Sequence, residues 1–252
     1  MTLKRFFLAA LPLDVVADSA AICALLQGRV FPQSVAFAAP RAWELAQKDP
    51  SYAGMLGQMS LVIADGRGVS VAARLACGEA CAPIGFESVG FFNAFFETIA
   101  NNNLTVGLVG GPPGNDEEVQ NKLVTAYPGL KIVTTMHGYG DSAAKIEKLM
   151  LAAPDVILVG MESPRQESFL LALRAAGYKG FAIATGDFFS HYPNGWAQAG
   201  CPAWMRRYHV DFLYRLCREP KRLWRRYLVE YPLFYIRVLQ SLAQKARAAA
   251  RA

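Results

Sequence analysis

The sequence predicts a doubly wound α/β fold, in which helices cover both faces of a parallel sheet, followed by a basic helical segment. Apolar runs without polar alternation, such as 156–160 (VILVG), indicate strands that are covered on both faces. Helical patterns alternate with these runs between residues 104 and 184, at the spacing of parallel strands joined by helices. Ligands are therefore expected beyond the carboxyl ends of the strands.

The predicted elements follow one another along the chain. Residues 6–13 are interpreted as a first buried strand and not as a signal peptide, because the apolar run is short and no small-residue cleavage site follows. Further strands are predicted over 34–38, 60–64, 104–109, 131–135, 156–159 and 181–184. Helices are predicted over 15–27, around 43–46, over 116–126, 142–151 and 165–176, and in short pieces divided by Pro220 and Pro232 over 204–242.

Composition and charge divide the chain into two parts. Of its 252 residues 53% are hydrophobic and 18% charged, which excludes disordered and collagen-like chains. The segment from Cys201 onward holds 12 of the 26 Lys and Arg residues but three of the 20 Asp and Glu residues. Such a block usually meets phosphate groups. We therefore expect an α/β domain over 1–200 and a basic amphipathic appendage over 201–252, whose apolar run after Pro232 needs the protein body or a bilayer as a partner.

Several kinds of site find no support in the sequence. The five cysteines form no CxxC pair, so we interpret them as reduced thiols of a cytosolic protein. The three histidines have no second ligand at metal-binding spacing, and we expect no metal or other cofactor. The dinucleotide fingerprint GxGxxG, the phosphate-binding GK[ST] and the hydrolase pattern GxSxG are all absent.

Three strand-to-helix turns carry candidate site residues, each with a structural alternative. Glycines in 106–114 (VGLVGGPPG) either cradle a diphosphate at a helix N-terminus or form a tight turn. Asp65 follows an apolar strand, where a partly desolvated carboxylate suits a general base, but it also suits a helix cap. In 160–167 (GMESPRQE), Arg165 and Gln166 either face a ligand or begin a helix through a capping box of Ser163 and Gln166, and the two can hold together.

Six segments, in their order along the chain, resemble the WecG/TagA/CpsF family of bacterial glycosyltransferases. They are ADGRGVSVAARL (64–75), LVGGPPG (108–114), HGYG (137–140), VGMESPRQE (159–167), GDFF (186–189) and CPAWMRRYHVDFLYRLCREPKRLWRRYL (201–228). The resemblance covers nearly the whole chain. It implies a Rossmann-like sheet and a metal-independent, inverting transfer of a sugar from a UDP-sugar to a saccharide on polyprenyl diphosphate, in exopolysaccharide or cell-envelope polysaccharide synthesis.

The resemblance also implies roles for residues of this chain. Asp65 is expected to act as the base, Gln166 to lie in the active site, and Arg41 and Arg67 to bind the acceptor. The residues of the α/β domain expected to bind the nucleotide sugar are Gly110, Gly111, Gly114, His137, Tyr139, Arg165 and Asp187. The appendage is expected to contribute Arg215, Arg222 and Arg225, and its other candidate arginines are Arg206, Arg207, Arg218 and Arg226. The appendage is expected to close over the nucleotide and to hold the protein peripherally on the anionic inner face of the cytoplasmic membrane. A homo-oligomer is a further expectation.

Two segments depart from the family pattern. Ala39-Pro40-Arg41 stands where the family usually has Thr-Pro-Asn, and residues 82–87 (APIGFE) lack the arginine usual before a Gly-x-Asp. An insertion is also expected around 190–199. These departures predict a changed donor or acceptor sugar, and the alternative is a catalytically impaired member that binds a nucleotide sugar or acts as a scaffold. Nucleic-acid binding is disfavoured, because the apolar run after Pro232 fits lipid better.

Overall fold

The computed structural model describes residues 4–79, 81–193, 202, 205, 211–218 and 220–249. Contacts divide the chain into two compact units, residues 1–193 and 194–252. The charge pattern put the boundary a few residues later, at Cys201. The expected insertion around 190–199 lies largely outside the described residues.

The first unit contains eight described strands, two in a hairpin and six in one parallel sheet. The strands are β1 (Arg5–Leu8), β2 (Leu11–Asp14), β3 (Val35–Ala38), β4 (Leu61–Ala64), β5 (Thr105–Gly110), β6 (Lys131–Met136), β7 (Val156–Gly160) and β8 (Phe181–Ala184). The parallel sheet has the order β4-β3-β8-β7-β5-β6. Every residue of β4, β7 and β8 is buried, whereas the edge strand β6 is half exposed. The predicted α/β fold is confirmed.

Helices connect the strands and cover both faces of the sheet. They are α1 (Ser19–Gln27), α2 (Pro40–Lys48), α3 (Pro50–Gln58), α4 (Gly66–Cys77), α5 (Val89–Asn101), α6 (Asn115–Ala126), α7 (Ser142–Ala152), α8 (Arg165–Ala175) and the short α9 (Phe188–His191). Helices α3, α4 and α5 were not predicted. Glycines at the start of α4 weaken its helical pattern, and α5 is apolar on most of its surface because its phenylalanines pack in the core.

The first predicted strand is wrong, because residues 5–14 form an antiparallel hairpin instead. Leu8 pairs with Leu11, and Ala9 in the turn takes a left-handed φ of 56°. Asp14, which is 3% exposed, binds Arg5 through two hydrogen bonds of 2.8 and 2.7 Å and accepts the backbone N–H of Val62 at 2.7 Å. The buried carboxylate therefore fixes the hairpin beside β4, which covers that edge of the parallel sheet.

The order of the strands places a topological switch between β5 and β7. The chain moves from β5 outward to β6, and later from β7 in the opposite direction to β8. Because such crossovers are right-handed, α6 and α8 lie on opposite faces of the sheet. Ligands of doubly wound folds bind where the strand order reverses, beyond the carboxyl ends of the strands.

The second unit is helical where it is described. Helices span Asp211–Arg218 and Pro220–Arg225, a π-helical turn spans Arg226–Glu230, and a long helix spans Tyr231–Ala249. Pro220 begins a helix as predicted, and the long helix that follows the π-helical turn begins one residue before Pro232. Pro232 lies in the first turn of the long helix, where proline loses no hydrogen bond.

Candidate active site

The carboxyl ends of the six parallel strands bring most of the predicted site residues to one edge of the sheet. In spatial order, Asp65 follows β4, Arg41 follows β3, Asp187 follows β8, Arg165 and Gln166 follow β7, Gly111 follows β5, and His137 and Tyr139 follow β6. Neighbouring strands lie about 4.8 Å apart, so β4 and β6 are separated by roughly 24 Å. The predicted residues thus form a row, with Asp65 and Arg41 near one end and His137 and Tyr139 at the other.

Asp65 is held at the end of β4 without serving as a helix cap. It occupies the N-cap position of α4, yet its carboxylate makes no capping hydrogen bond. Its backbone N–H donates to Ala38 of β3 at 3.0 Å. A methyl group at Gly85 would lie 2.6 Å from Oδ1 of Asp65, so the backbone of Gly85 closely borders the carboxylate. The capping alternative is therefore not supported.

We expect Gly85→Ala to lower transfer by about 100-fold while the fold is kept. The new methyl group clashes with the end of the Asp65 side chain, which must rotate or shift by about an ångström, and a displacement of that size has such an effect on a reacting group. Initial rates of sugar transfer measure the loss of activity, and the unfolding temperature shows whether the fold is kept. Gly90→Ala, where a methyl group meets no atom within 4 Å, is the control. Equal rates for both variants would contradict the expectation.

The glycines at the carboxyl ends of β5 and β7 are explained by the packing of Phe189. Methyl groups built at Gly110 and Gly160 would lie 2.4 and 2.5 Å from the ring of Phe189, which is 1% exposed. Gly111 has φ 69° and donates its N–H to the carbonyl of Gly160 at 3.1 Å. Phe189 thus occupies the crevice at the topological switch.

The turn that leads into α6 also forms its hydrogen bond with a residue of the helix itself. Gly114 has φ 91°, and its N–H lies 3.2 Å from the carboxylate of Asp116. The first turn of α6 carries Asp116, Glu117 and Glu118. Three carboxylates at a helix N-terminus disfavour a bound diphosphate. The geometry therefore favours the tight-turn interpretation, and nucleotide binding by Gly110, Gly111 and Gly114 stays a prediction.

Gln166 joins two strand-end loops and is 5% exposed. Its Oε1 accepts the N–H of Gly186 at 3.1 Å, and its Nε2 donates to Ser163 and to Glu167, both at 3.1 Å. Both the oxygen and the nitrogen of the side-chain amide thus form hydrogen bonds, and the bond to Gly186 fixes the loop that carries Asp187. The capping-box interpretation is wrong, since no side chain caps α8.

Glu167 is the buried centre of this network, which the local sequence pattern does not indicate. Glu167 is 1% exposed, and its Oε1 accepts from the hydroxyl of Ser163 at 2.7 Å and lies 3.5 Å from that of Tyr52. Its Oε2 is buried and has no hydrogen-bond partner within the described part of the chain. Burial raises the pKa of Glu167, which favours a protonated carboxyl. Burial is the largest cause of a raised pKa of Tyr52, and Glu167 raises this pKa further. Arg41 lowers the pKa of Tyr52 in part, so Arg41 lies within electrostatic range of this network.

In the wild type we expect the free energy of unfolding to fall as the pH rises, and we expect Glu167→Gln to abolish this decrease. Because the pKa of Glu167 is raised on folding, the folded state holds a proton that the unfolded state releases above the ordinary value of 4.5. The free energy of unfolding then falls by up to about 1.4 kcal/mol per pH unit until the raised pKa is passed. Urea unfolding between pH 5 and 8 measures this slope. The exposed Glu147→Gln is the control, and an unchanged slope in Glu167→Gln would refute the expectation.

The loop after β6 is fixed by two cations. The backbone carbonyl of Tyr139 accepts a hydrogen bond from Lys145, which is 9% exposed. Arg165 donates to the carbonyl of Gly138 at 2.9 Å, and its guanidinium lies 5.5 Å from the ring centre of Tyr139. His137 accepts the N–H of Tyr139 through Nδ1 at 3.2 Å. The structure thus brings the HGYG and PRQE segments together, with the ring of Tyr139 54% exposed.

The remaining predicted residues are exposed or lie outside what is described. Arg41, Arg67 and Asp187 are exposed at the same edge of the sheet. Arg225, in the second unit, lies 3.8 Å from Glu230 in an exposed ion pair. The positions that lie outside the described residues, or whose side chains are not described, are Arg206, Arg207, Arg215, Arg222 and Arg226.

Three further properties concern the described residues alone. No group of three or more His, Cys, Asp and Glu side chains within them is arranged to hold a metal ion. Cys23 and Cys81 are buried, and Cys217 is exposed. None of the described helices combines the length and the apolar character that crossing a bilayer requires.

Comparison with known proteins identifies relatives along most of the chain. The model of the glycosyl transferase WecG/TagA/CpsF family matches residues 8–248. An N-acetylglucosaminyldiphosphoundecaprenol N-acetyl-beta-D-mannosaminyltransferase of Bacillus subtilis (strain 168) is 27% identical over 201 residues, 79% of this chain and 76% of the relative. A protein of the same name from Staphylococcus aureus (strain MW2) is 25% identical over 205 residues, 80% of this chain and 78% of the relative.

Proposed function

The chain belongs to the WecG/TagA/CpsF family of glycosyl transferases, and we propose that it transfers a sugar from a UDP-sugar to a saccharide carried on polyprenyl diphosphate. The names of the relatives describe the transfer of N-acetylmannosamine to an N-acetylglucosaminyl group on diphosphoundecaprenol. For this chain the proposed donor is a hexosyl or N-acetylhexosaminyl UDP-sugar. The product belongs to an exopolysaccharide or a cell-envelope polysaccharide.

One observation carries the proposal of catalysis. The Asp65 carboxylate stands at the carboxyl end of β4, bordered by Gly85 and unused as a helix cap. Inverting transfer requires a base that accepts the proton of the attacking hydroxyl as its oxygen bonds to the anomeric carbon and UDP leaves. Asp65 supplies that base in the proposed reaction.

The row of residues suggests how the two substrates are arranged. Arg41 and Arg67 flank Asp65 and are proposed to hold the acceptor, while Arg165, His137 and Tyr139 lie toward β6 and are proposed to hold the nucleotide. Gln166 is proposed to act by fixing the loop of Asp187 between these groups. The leaving diphosphate gains negative charge, and guanidinium groups of the site and of the basic second unit are proposed to stabilise it.

The proposed place of the reaction is the inner face of the cytoplasmic membrane. The acceptor is lipid-linked, and the second unit carries both the excess of arginines and a series of exposed apolar side chains. Basic and apolar groups together bind anionic bilayer surfaces. Assembly into a homo-oligomer stays a prediction.

A two-stage experiment tests the function. UDP-sugars are first screened by the shift in unfolding temperature, and those that bind are then incubated with radiolabel and a polyprenyl-diphosphate-linked saccharide, with and without EDTA. We expect a labelled lipid product in both conditions. Binding without transfer would favour the nucleotide-sugar-binding or scaffold alternative, which the changed segment Ala39-Pro40-Arg41 motivates. Loss of transfer in EDTA with recovery in manganese would refute the role given to arginine.

A further inference from the structure

The outer face of α4 carries an unusual combination of side chains. The exposed positions of this helix include Arg67, Val71, Arg74 and Leu75, while Val69, Ala72 and Ala73 on the opposite side are fully buried. At 100° per residue the four exposed positions fall on one stripe, about 12 Å long from Arg67 to Leu75. Val71 is 47% exposed and Leu75 is 62% exposed. We call this surface the α4 stripe.

The cations of the α4 stripe are not used within the described fold. Neither Arg67 nor Arg74 forms an ion pair or side-chain hydrogen bond with any part of the chain that the structure describes. The helix itself contains no acidic residue. Phe7 lies on β1, the strand against which α4 packs, and is 54% exposed, which adds an apolar group on a neighbouring element. Two guanidinium groups that have no side-chain partner among the described residues, alternating with large apolar side chains, match a ligand that is both anionic and apolar.

The position of the stripe connects it to the chemistry. α4 begins one residue after Asp65 and runs away from the carboxyl edge of the sheet. Arg67 is therefore the member nearest to the catalytic carboxylate, and Leu75 lies farther along the surface. A ligand on the stripe would have its anionic end beside Asp65 and its apolar end pointing away from it.

We propose that the α4 stripe binds the carrier of the acceptor, with the diphosphate at Arg67 and the first part of the polyprenyl chain on Val71 and Leu75. This inference rests on the proposed function for the identity of the lipid. It gives α4 a role separate from that of the basic second unit. The second unit attaches the protein to the bilayer in general, whereas the stripe selects the one lipid that carries the acceptor.

The test compares vesicles with and without the carrier. The full chain and its Val71→Gln/Leu75→Gln variant are sedimented with phosphatidylcholine vesicles, with the same vesicles containing polyprenyl diphosphate, and with phosphatidylglycerol vesicles. Glutamine keeps helix propensity and adds no charge, so the variant is expected to unfold at the wild-type temperature. Val124→Gln/Leu151→Gln, which changes exposed apolar residues on α6 and α7, is the control.

We expect polyprenyl diphosphate to increase the bound fraction of the wild type and of the control. The α4 variant should lose about tenfold in affinity for the carrier-containing vesicles and bind phosphatidylglycerol as the wild type does. An equal increase in the variant, or an equal loss on phosphatidylglycerol vesicles, would overturn the proposal. Because sedimentation requires no sugar transfer, an absence of transfer with carrier-dependent binding intact refutes the proposed function and leaves this inference standing.

Discussion

Asp65→Asn is expected to lower kcat/KM for sugar transfer by about 1,000-fold, while binding of the UDP-sugar is retained. Asparagine has nearly the same shape as aspartate and fits the same place beside Gly85. Its amide, however, cannot accept the proton of the attacking hydroxyl, and general bases contribute about 100- to 10,000-fold to a reaction. Transfer rates measure the loss, and the shift of unfolding temperature with UDP-sugar measures binding.

Asp187→Asn is the matched comparison for this experiment. Asp187 is an exposed aspartate two strands away in the same row, and it is predicted to bind the nucleotide sugar. Its variant is expected to raise KM for the donor more than it lowers kcat, because it changes binding and not proton transfer. Wild-type turnover in Asp65→Asn would remove Asp65 from the mechanism, whatever Asp187→Asn does.

The parallel sheet was predictable because its strands are buried on both faces. Strand β8 spans the predicted residues 181–184, and β7 extends the predicted strand by one residue. A short uninterrupted apolar run bounded by turn residues is typical of a strand that is covered on both faces. The N-terminal hairpin was not predictable in the same way. Its turn contains Ala9 in a left-handed conformation where glycine or asparagine would have signalled it, so two short strands were taken for one.

The sequence predicted which residues lie at the site, but it did not predict the contacts between residues that are distant in sequence. Asp65, Gln166 and Asp187 follow strands, and parallel topology alone brings them to one edge. The network around Glu167 depends on Tyr52, which is 115 positions distant in sequence, and no local pattern indicates such a contact. The sequence left open whether Gly110 binds a diphosphate or belongs to a tight turn. The packing of Phe189 against Gly110 explains why a glycine is needed there, and it too is a contact between residues distant in sequence.

Replacement of three exposed leucine and isoleucine side chains of the second unit should abolish attachment to anionic vesicles. Leu228, Ile236 and Leu239 are 65%, 50% and 55% exposed. Arg225 comes three positions before Leu228, and Arg237 follows Ile236. Burying each such side chain in lipid contributes about 1.5 kcal/mol or more, so changing all three to glutamine lowers the partition coefficient by about 1,000-fold. Sedimentation with phosphatidylglycerol vesicles measures this loss.

The same experiment separates the second unit from the first. A chain that ends before Cys201 is expected to keep the folded α/β unit, since contacts group residues 1–193 together, and to lose vesicle binding to the same extent as the triple variant. Raised salt should weaken the wild type further, because exposed arginines act through screened charge. Unchanged binding of the truncated chain would transfer the membrane contact to the first unit. Loss of binding in the truncated chain alone would assign the attachment to the arginines and not to the apolar side chains.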